Sequence, residues 1–255
     1  MDLDVALTPG QARAVDVAVV VDALRATSTA AQALAAGYRR ILCAADLSTA
    51  IGLRAAGRVL AGERRCRRPD GFDQGNSPAE AAVRRGEELV LATTNGAPTI
   101  VAAAGRCPRV LLGSLLNLDA VADWLRRAAA GGATPEVQII CAGIEGRFAL
   151  EDVYVAGRLS ALLDATRSDA VLVAEGLARS FRTPLEALES GGGAAMLRAA
   201  GMERDVALCA RESVLDTVPV VTGVRRGVAI IADGARRPVL GVTVEGRNPS
   251  MAVAR

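Results

Sequence analysis

The sequence predicts an α/β protein, a three-layer α/β/α sandwich with a mostly parallel, mixed central sheet. Three observations carry that prediction. Strand-like and helix-like stretches alternate through the first two thirds of the 255 residues, the order that builds a parallel sheet covered by helices on both faces. Strand candidates such as "VDVAVVVD" (15–22) are nearly continuous β-branched runs, which marks strands buried on both sides. Polar residues then collect where those runs end, the edge at which open α/β sheets bind ligands.

The elements follow in order. After the first strand, "ATSTAAQALAAG" has helical composition and stops at Gly37. "RRILCA" reads as a strand, "DLSTAIGLRAAG" as a helix capped by Asp46, and "RVLAGE" as a strand. A charged loop ends in "SPAE", where Ser77 caps, Pro78 suits the first helical position and Glu80 can complete a capping box. "ELVLATT" and "RVLLGS" are strands on either side of a helix that opens near "NGAPTI". "NLDAVADWLRRAAAGG" is a helix, "EVQIICAG" a strand and "ALEDVYVAGRLSALLDA" a helix. In the last third, "TPLEALESGGGAAMLRAAGMERDVALCA" is helical with a glycine interruption at 191–193, read as a loose loop in preference to a hinge. "VPVVTG", "GVAIIADG" and "PVLGVTVEG" are closing strands, expected to run antiparallel at the sheet edge. No linker separates these parts, so one domain is expected over 1–255. Within it 1–165 bears the motifs, and 166–255 adds helices and closing strands that could form a subdomain.

Composition narrows the chemistry. Half of the residues are apolar but only six are aromatic, so the core is built from Ala, Val, Leu and Ile. A net charge of +2 argues against nucleic-acid or membrane-surface binding, and the acidic start "MDLDVALTPG" does not resemble a signal peptide; a cytoplasmic protein is expected. The five cysteines are scattered without paired spacing, which suits reduced thiols. Histidine and lysine are both absent. That excludes Ser-His-Asp triads, His-ligated zinc, Schiff bases and the P-loop lysine. Chemistry is left to Asp/Glu, Cys, Ser/Thr, Arg, backbone amides and a metal ion. An alanine-rich helix face could serve a homodimer.

The strand ends hold an unusual set: Asp22, Arg25, Thr27 and Ser28; Glu63 and Arg64; Asp73, Gly75, Asn76 and Ser77; Thr93, Thr94, Asn95 and Gly96; Cys141; and, opening the next helix, Glu151 and Asp152. Between Leu60 and Pro78 alone, "LAGERRCRRPDGFDQGNSP" carries four arginines, three acids and three glycines. Taken singly, such residues are commonly helix caps, structural ion pairs or solvated loops. Taken together at one predicted sheet end, they describe a site for a compact polyanion. Helix N-termini offer free N–H groups, arginines pair with anionic oxygens, and carboxylates beside them can hold a hard divalent ion, Mg²⁺.

Five segments in this order, "VVVDALRATST", "LAGERRCRRPDGFDQGNSP", "TTNGAPTI", "GSLLNLDAVA" and "ICAGIEGRFALEDVYVAG", resemble the 2-phosphosulfolactate phosphatase family. The likeness covers about Val15 to Leu163 and continues more weakly through "RDVALCARESVLDTVPVV". Ala97 stands where the family usually has threonine, so one hydroxyl contact is missing. The resemblance implies a three-layer α/β/α fold and Mg²⁺-dependent hydrolysis of 2-phospho-3-sulfolactate to 3-sulfolactate and phosphate, a step toward coenzyme M. On that basis Asp22, helped by Glu63 or Asp152, would hold Mg²⁺. Arg25 and Arg64 would neutralise phosphate oxygens, the Thr93–Gly96 helix start would donate N–H groups, and Asp22 or Asp73 would orient the attacking water. Thr27, Ser28, Gly75, Asn76 and Ser77 complete the expected substrate contacts.

Two rival readings stand beside this one. Cys141 and Arg147 have the C-x5-R spacing of cysteine phosphatases, without the flanking histidine or the following Ser/Thr. A protein that binds an anionic metabolite without turnover would present the same pocket.

Overall fold

The computed structural model describes residues 1–130 and 134–235, with the backbone of 243–244. The first half contains β1 (Asp2–Ala6), β2 (Val17–Val21), α1 (Ala26–Ala35), β3 (Arg40–Ala44), α2 (Leu47–Gly52), β4 (Arg58–Gly62), α3 (Pro78–Ala81), β5 (Glu88–Ala92), α4 (Gly96–Ala104) and β6 (Val110–Gly113). The second half adds α5 (Leu118–Ala129), β7 (Glu136–Cys141), α6 (Leu150–Ala161), β8 (Thr166–Arg167), α7 (Asp169–Arg179), α8 (Pro184–Ser190), α9 (Gly192–Ala199), α10 (Glu203–Cys209), β9 (Pro219–Arg225), β10 (Val228–Asp233) and β11 (Thr243–Val244).

The α/β sandwich and its mostly parallel mixed sheet are as predicted, and β2 shows why. All five of its side chains are buried, but they divide by the period-two rule. Val17, Val19 and Val21 pack with α5, α6 and α7, whereas Ala18 and Val20 pack with α1 and α4. A strand with two apolar faces needs a helical layer on each, and both layers are present.

The strands run in the order β4-β5-β3-β10-β9-β6-β2-β7-β1-β8, with β11 beside β9. The antiparallel strands were expected at an edge; instead β9 and β10 lie in the middle. They join a parallel block of β3, β4 and β5 to a second parallel block of β6, β2, β7, β1 and β8. The steps from β3 to β10, β10 to β9 and β9 to β6 are all antiparallel. The two blocks therefore run in opposite senses along the ladder.

Other differences are local. β1 was not foreseen, because two aspartates interrupt its short apolar pattern; it pairs in parallel with β7. α7, also unforeseen, packs closely on α6 across Gly157, where a side chain would strike the Ala174 carbonyl. Asp46 caps α2 as expected, through Thr49 N–H at 2.8 Å. Ser77 caps α3, but Glu80 accepts from Gly75 N–H rather than closing a capping box. Most of the expected strand over "PVLGVTVEG", and the Gly131-Gly132 end of the expected helix before β7, lie outside the described residues.

Candidate active site

β2 ends at Asp22, whose side chain is almost buried. Its Oδ1 accepts from Ala26 N–H at 3.1 Å, and Oδ2 lies against the bare backbone of Gly96. Gly96 is required there, since a Cβ would collide with both Oδ2 and the Ala26 methyl. Burial is the main cause that lifts the Asp22 pKa to about 7; the Ala26 N–H opposes it, and the charges of Glu63 and Glu151 add to it. Thr27 and Ser28, expected at the substrate, are instead internal. Thr27 Oγ1 donates to the Asp22 carbonyl at 2.9 Å and Ser28 Oγ to the Ala23 carbonyl at 2.9 Å, so both secure the strand-to-helix turn. Arg25 is buried, lines a cavity, and forms an ion pair with Asp205.

Glu63 and Asp152 share one design. Glu63 Oε1 accepts from Thr94 N–H at 2.6 Å and Oε2 from Cys66 N–H at 2.9 Å, which joins the loop after β4 to the end of β5. Asp152 Oδ1 accepts from Ala23 N–H at 2.8 Å and Oδ2 from Gly143 N–H at 2.9 Å, which joins the end of β2 to the loop after β7. Each loop is a tight turn with positive φ, at Arg65 and Cys66 in one and at Gly143, Glu145 and Gly146 in the other. Glu63 lines the cavity; Asp152 does not. Burial, with the nearby charges of Asp22 and Glu151, pushes the Asp152 pKa well above its usual range.

Several expected contacts go elsewhere. Asp73 stands half exposed on the outer edge of β4, taking Leu60 N–H at 2.7 Å and pairing with Arg54 at 3.5 Å, so it cannot reach a water at the cavity. Arg64 folds back on the Glu63 carbonyl at 2.8 Å, and its neighbour Arg65 faces the cavity in its place. Gly75 is engaged by Glu80, and Ser77 Oγ donates to Asp205 at 2.8 Å. Thr93 Oγ1 is buried and accepts from Ala97 N–H at 2.9 Å, an N-terminal bond of α4. Asn76, Thr94 and Asn95 do line the cavity, and Asn76 Oδ1 is buried with no partner. Asn95 Oδ1 takes Glu145 N–H at 3.0 Å across the two blocks.

The cavity, of about 50 Å³, thus gathers Asp22, Arg25, Glu63, Asn76, Thr94 and Asn95 from both blocks. Sequence reasoning missed Gly193 and Met196 of α9, which also face it, and the part played by Glu151, which supports them. Glu151 is buried and accepts from Gly193 N–H at 2.9 Å; side chains at 191 or 193 would collide with its carboxylate. The triple glycine is therefore a helix start built around a carboxylate, not a loose loop. The acidic pair "ED" at the opening of α6 was the signal available for it.

The C-x5-R pair does not assemble. Cys141 is fully buried, burial and Asp152 push its thiol well above the ordinary range, and the Arg147 side chain is 80% exposed.

Among the described residues no three Asp, Glu or Cys side chains cluster closely enough to hold an ion by themselves. Mg²⁺ usually keeps several waters and takes one or two carboxylates plus substrate oxygens. Asp22 and the unpartnered Asn76 oxygen are hard oxygen donors that fit an ion of that kind.

A three-layer sheet protein with this cleft, where carboxylates, guanidiniums and strand-end amides meet, belongs to the α/β proteins that act on compact anions. The family model for 2-phosphosulpholactate phosphatase matches residues 4–223, and the chain belongs to that family of phosphoric monoester hydrolases. A Thermus thermophilus protein named "Probable 2-phosphosulfolactate phosphatase" is 42% identical over 238 residues, covering 91% of this chain and 98% of its own. Proteins of the same name from Thermotoga petrophila and Deinococcus radiodurans are 35% and 37% identical, covering 87% and 81% of this chain and 96% and 88% of theirs. No described helix is long and apolar enough to cross a membrane.

Proposed function

We propose that this protein hydrolyses 2-phospho-3-sulfolactate to 3-sulfolactate and phosphate with Mg²⁺ as cofactor. The observation that carries the reading is the convergence of Asp22, Arg25, Glu63, Asn76 and Thr94 on one cavity from opposed halves of the sheet. Its charge supports a cation: three carboxylates (Asp22, Glu63, Glu145) face two guanidiniums (Arg25, Arg65) among the lining residues. A multiply negative substrate meets net repulsion there unless positive charge is added.

Phosphoryl transfer passes through a loose transition state, so positioning and charge stabilisation dominate over base strength. Bound Mg²⁺ would supply charge neutralisation on the transferring phosphoryl oxygens. Asp22 and Asn76 are the residues to hold it. Arg25 and Arg65 bind anionic oxygens of the substrate, and Glu63 keeps the Thr94 amide and the Arg65 turn in register. Asp152 aligns the Asp22 strand end with the opposite loop.

Phosphate release from 2-phospho-3-sulfolactate, measured with Mg²⁺ and with excess EDTA against a panel of other phosphomonoesters, tests the reading. Turnover should need the metal and prefer the sulfonated acid. Binding without phosphate release would make the protein a metabolite binder, and a rate indifferent to EDTA would remove the metal.

A further inference from the structure

We propose that Asp205 is the positioning residue for Arg25, holding its guanidinium at the cavity wall and away from Asp22. The inference rests on the reading of this cavity as the substrate site, and deepens it with a residue from the last third of the chain.

Asp205 lies in the first turn of α10, 180 residues from Arg25, and is only 6% exposed. Both of its oxygens are engaged by residues of other elements. Oδ2 pairs with Arg25 Nη1, and Oδ1 accepts from Ser77 Oγ at 2.8 Å. Ser77 opens α3 and Arg25 opens α1, so one carboxylate ties three helix starts together. The Arg25 Nη1 also meets Met202 Sδ at 3.1 Å, and Nη2 reaches the Cys66 carbonyl at 3.4 Å. A guanidinium carries five N–H donors in a rigid fork. Among the described residues, Nε–H and one Nη2 hydrogen have no protein acceptor, in a side chain that lines the cavity.

A buried ion pair is a poor route to stability compared with apolar packing; what it supplies is orientation. Orientation matters here because Arg25 and Asp22 line the same cavity. An untethered guanidinium would be free to pair with a cavity carboxylate, Asp22 or Glu63, and remove both groups from substrate binding. Asp205 prevents that by a competing bond, and Ser77 fixes the carboxylate that makes it.

The test uses the full-length chain and four variants: Asp205→Asn, Ser77→Ala, Arg25→Met and the Arg25→Met/Asp205→Asn pair. Calorimetry with inorganic phosphate reads anion affinity; kinetics with 2-phospho-3-sulfolactate read kcat and KM separately. Asp205→Asn should weaken phosphate binding about tenfold and lower kcat/KM about 30- to 100-fold. On the Arg25→Met background it should add less than about twofold, because no guanidinium remains to be held. Ser77→Ala keeps the ion pair but frees one carboxylate oxygen, and should give a loss of about two- to fivefold in the same quantities. That variant answers the question even if Asp205→Asn fails to fold. Independent, multiplicative losses in the double variant overturn the proposal, as does wild-type phosphate affinity in folded Asp205→Asn or Ser77→Ala. A wild-type protein that binds phosphate and hydrolyses nothing refutes the phosphatase reading alone, and the binding cycle still decides whether Asp205 acts through Arg25.

Discussion

Replacing Asp22 by asparagine should make the metal-free protein more stable while ending turnover. A carboxyl that ionises near 3.8 in the unfolded chain and near 7 in the folded one binds its proton more tightly when folded. Stability therefore falls as pH rises from about 4 to about 7 and levels off above, the reverse of an ion-paired carboxylate. The two pKa values correspond to a cost of about 2 kcal/mol at pH 5 and about 4 kcal/mol at pH 8. Asparagine keeps the acceptor for Ala26 N–H, never ionises, and relieves repulsion with Glu63 and Glu151. Some of the gain is lost to an imperfect fit of the amide, so an increase of about 2–4 kcal/mol at pH 8 and about 1 kcal/mol at pH 5 is expected in EDTA. Urea denaturation at both pH values, with and without Mg²⁺, measures it. Mg²⁺ should stabilise the wild type, by about 1.4 kcal/mol for each tenfold excess over its dissociation constant, and leave the variant unmoved. The reasoning fails if Asp22→Asn is no more stable than wild type at pH 8 in EDTA, or if its Mg²⁺ response survives.

Three further substitutions probe the frame. Gly96→Ala should lower kcat/KM by more than tenfold and cost about 1–3 kcal/mol, since the new methyl meets Asp22 Oδ2 and the Ala26 methyl; steady-state kinetics and a melting curve would show both. Asp73→Asn should keep kcat/KM within about threefold of wild type and cost no more than about 1 kcal/mol, because its partners are the β4 edge and an exposed arginine; a large kinetic loss would return Asp73 to the site. Cys141→Ala should retain near-normal turnover after a loss of about 1 kcal/mol from the core, and an inactive yet folded variant would revive the thiol mechanism.

The layered fold was legible because its signal is local. Continuous apolar runs such as 17–21 can only be interior strands, and Asp46 and Ser77 announce the helices they cap. Topology was not legible in the same way. Nothing in "VPVVTG" distinguishes an edge strand from a central one, and insertion of β9 and β10 between two parallel blocks is settled by which neighbours they meet. At the site, Asp22, Arg25, Glu63, Asn76, Thr94 and Asn95 were found, but the duties of the residues around them were often misjudged. Thr27, Ser28, Thr93 and Ser77 have the composition of ligand contacts and of structural contacts alike, and their hydrogen bonds to the protein itself resolve them as structural. Asp205 escaped, as did the duty of Glu151, because each acts through a partner 128 or 42 residues distant, Ser77 or Gly193.

The two carboxylates that most resembled metal ligands explain how opposed half-sheets make one site. A strand end exposes backbone N–H groups that a neighbouring strand no longer satisfies, and leaving them buried and unpaired costs about 1–3 kcal/mol each. Glu63 and Asp152 each satisfy two such groups, and in both cases the two belong to adjacent parallel strands. Each carboxylate therefore locks one strand pair's ends into a fixed rim. The rims are then joined by reciprocal contacts: Asn95 from the β5 side accepts from Glu145 beyond β7, and Arg25 from the β2 side donates to Cys66 beyond β4. Geometry is held by groups whose oxygens are already committed, which leaves Asp22, with one oxygen against Gly96, as the buried cavity carboxylate available for chemistry. Such a division of labour requires that Glu63→Gln disturb the Arg65 turn and weaken substrate binding, whereas Asp22→Asn acts on kcat; KM and kcat measured for the two variants side by side would reveal the opposite pattern if Glu63 were the metal ligand and Asp22 the clamp.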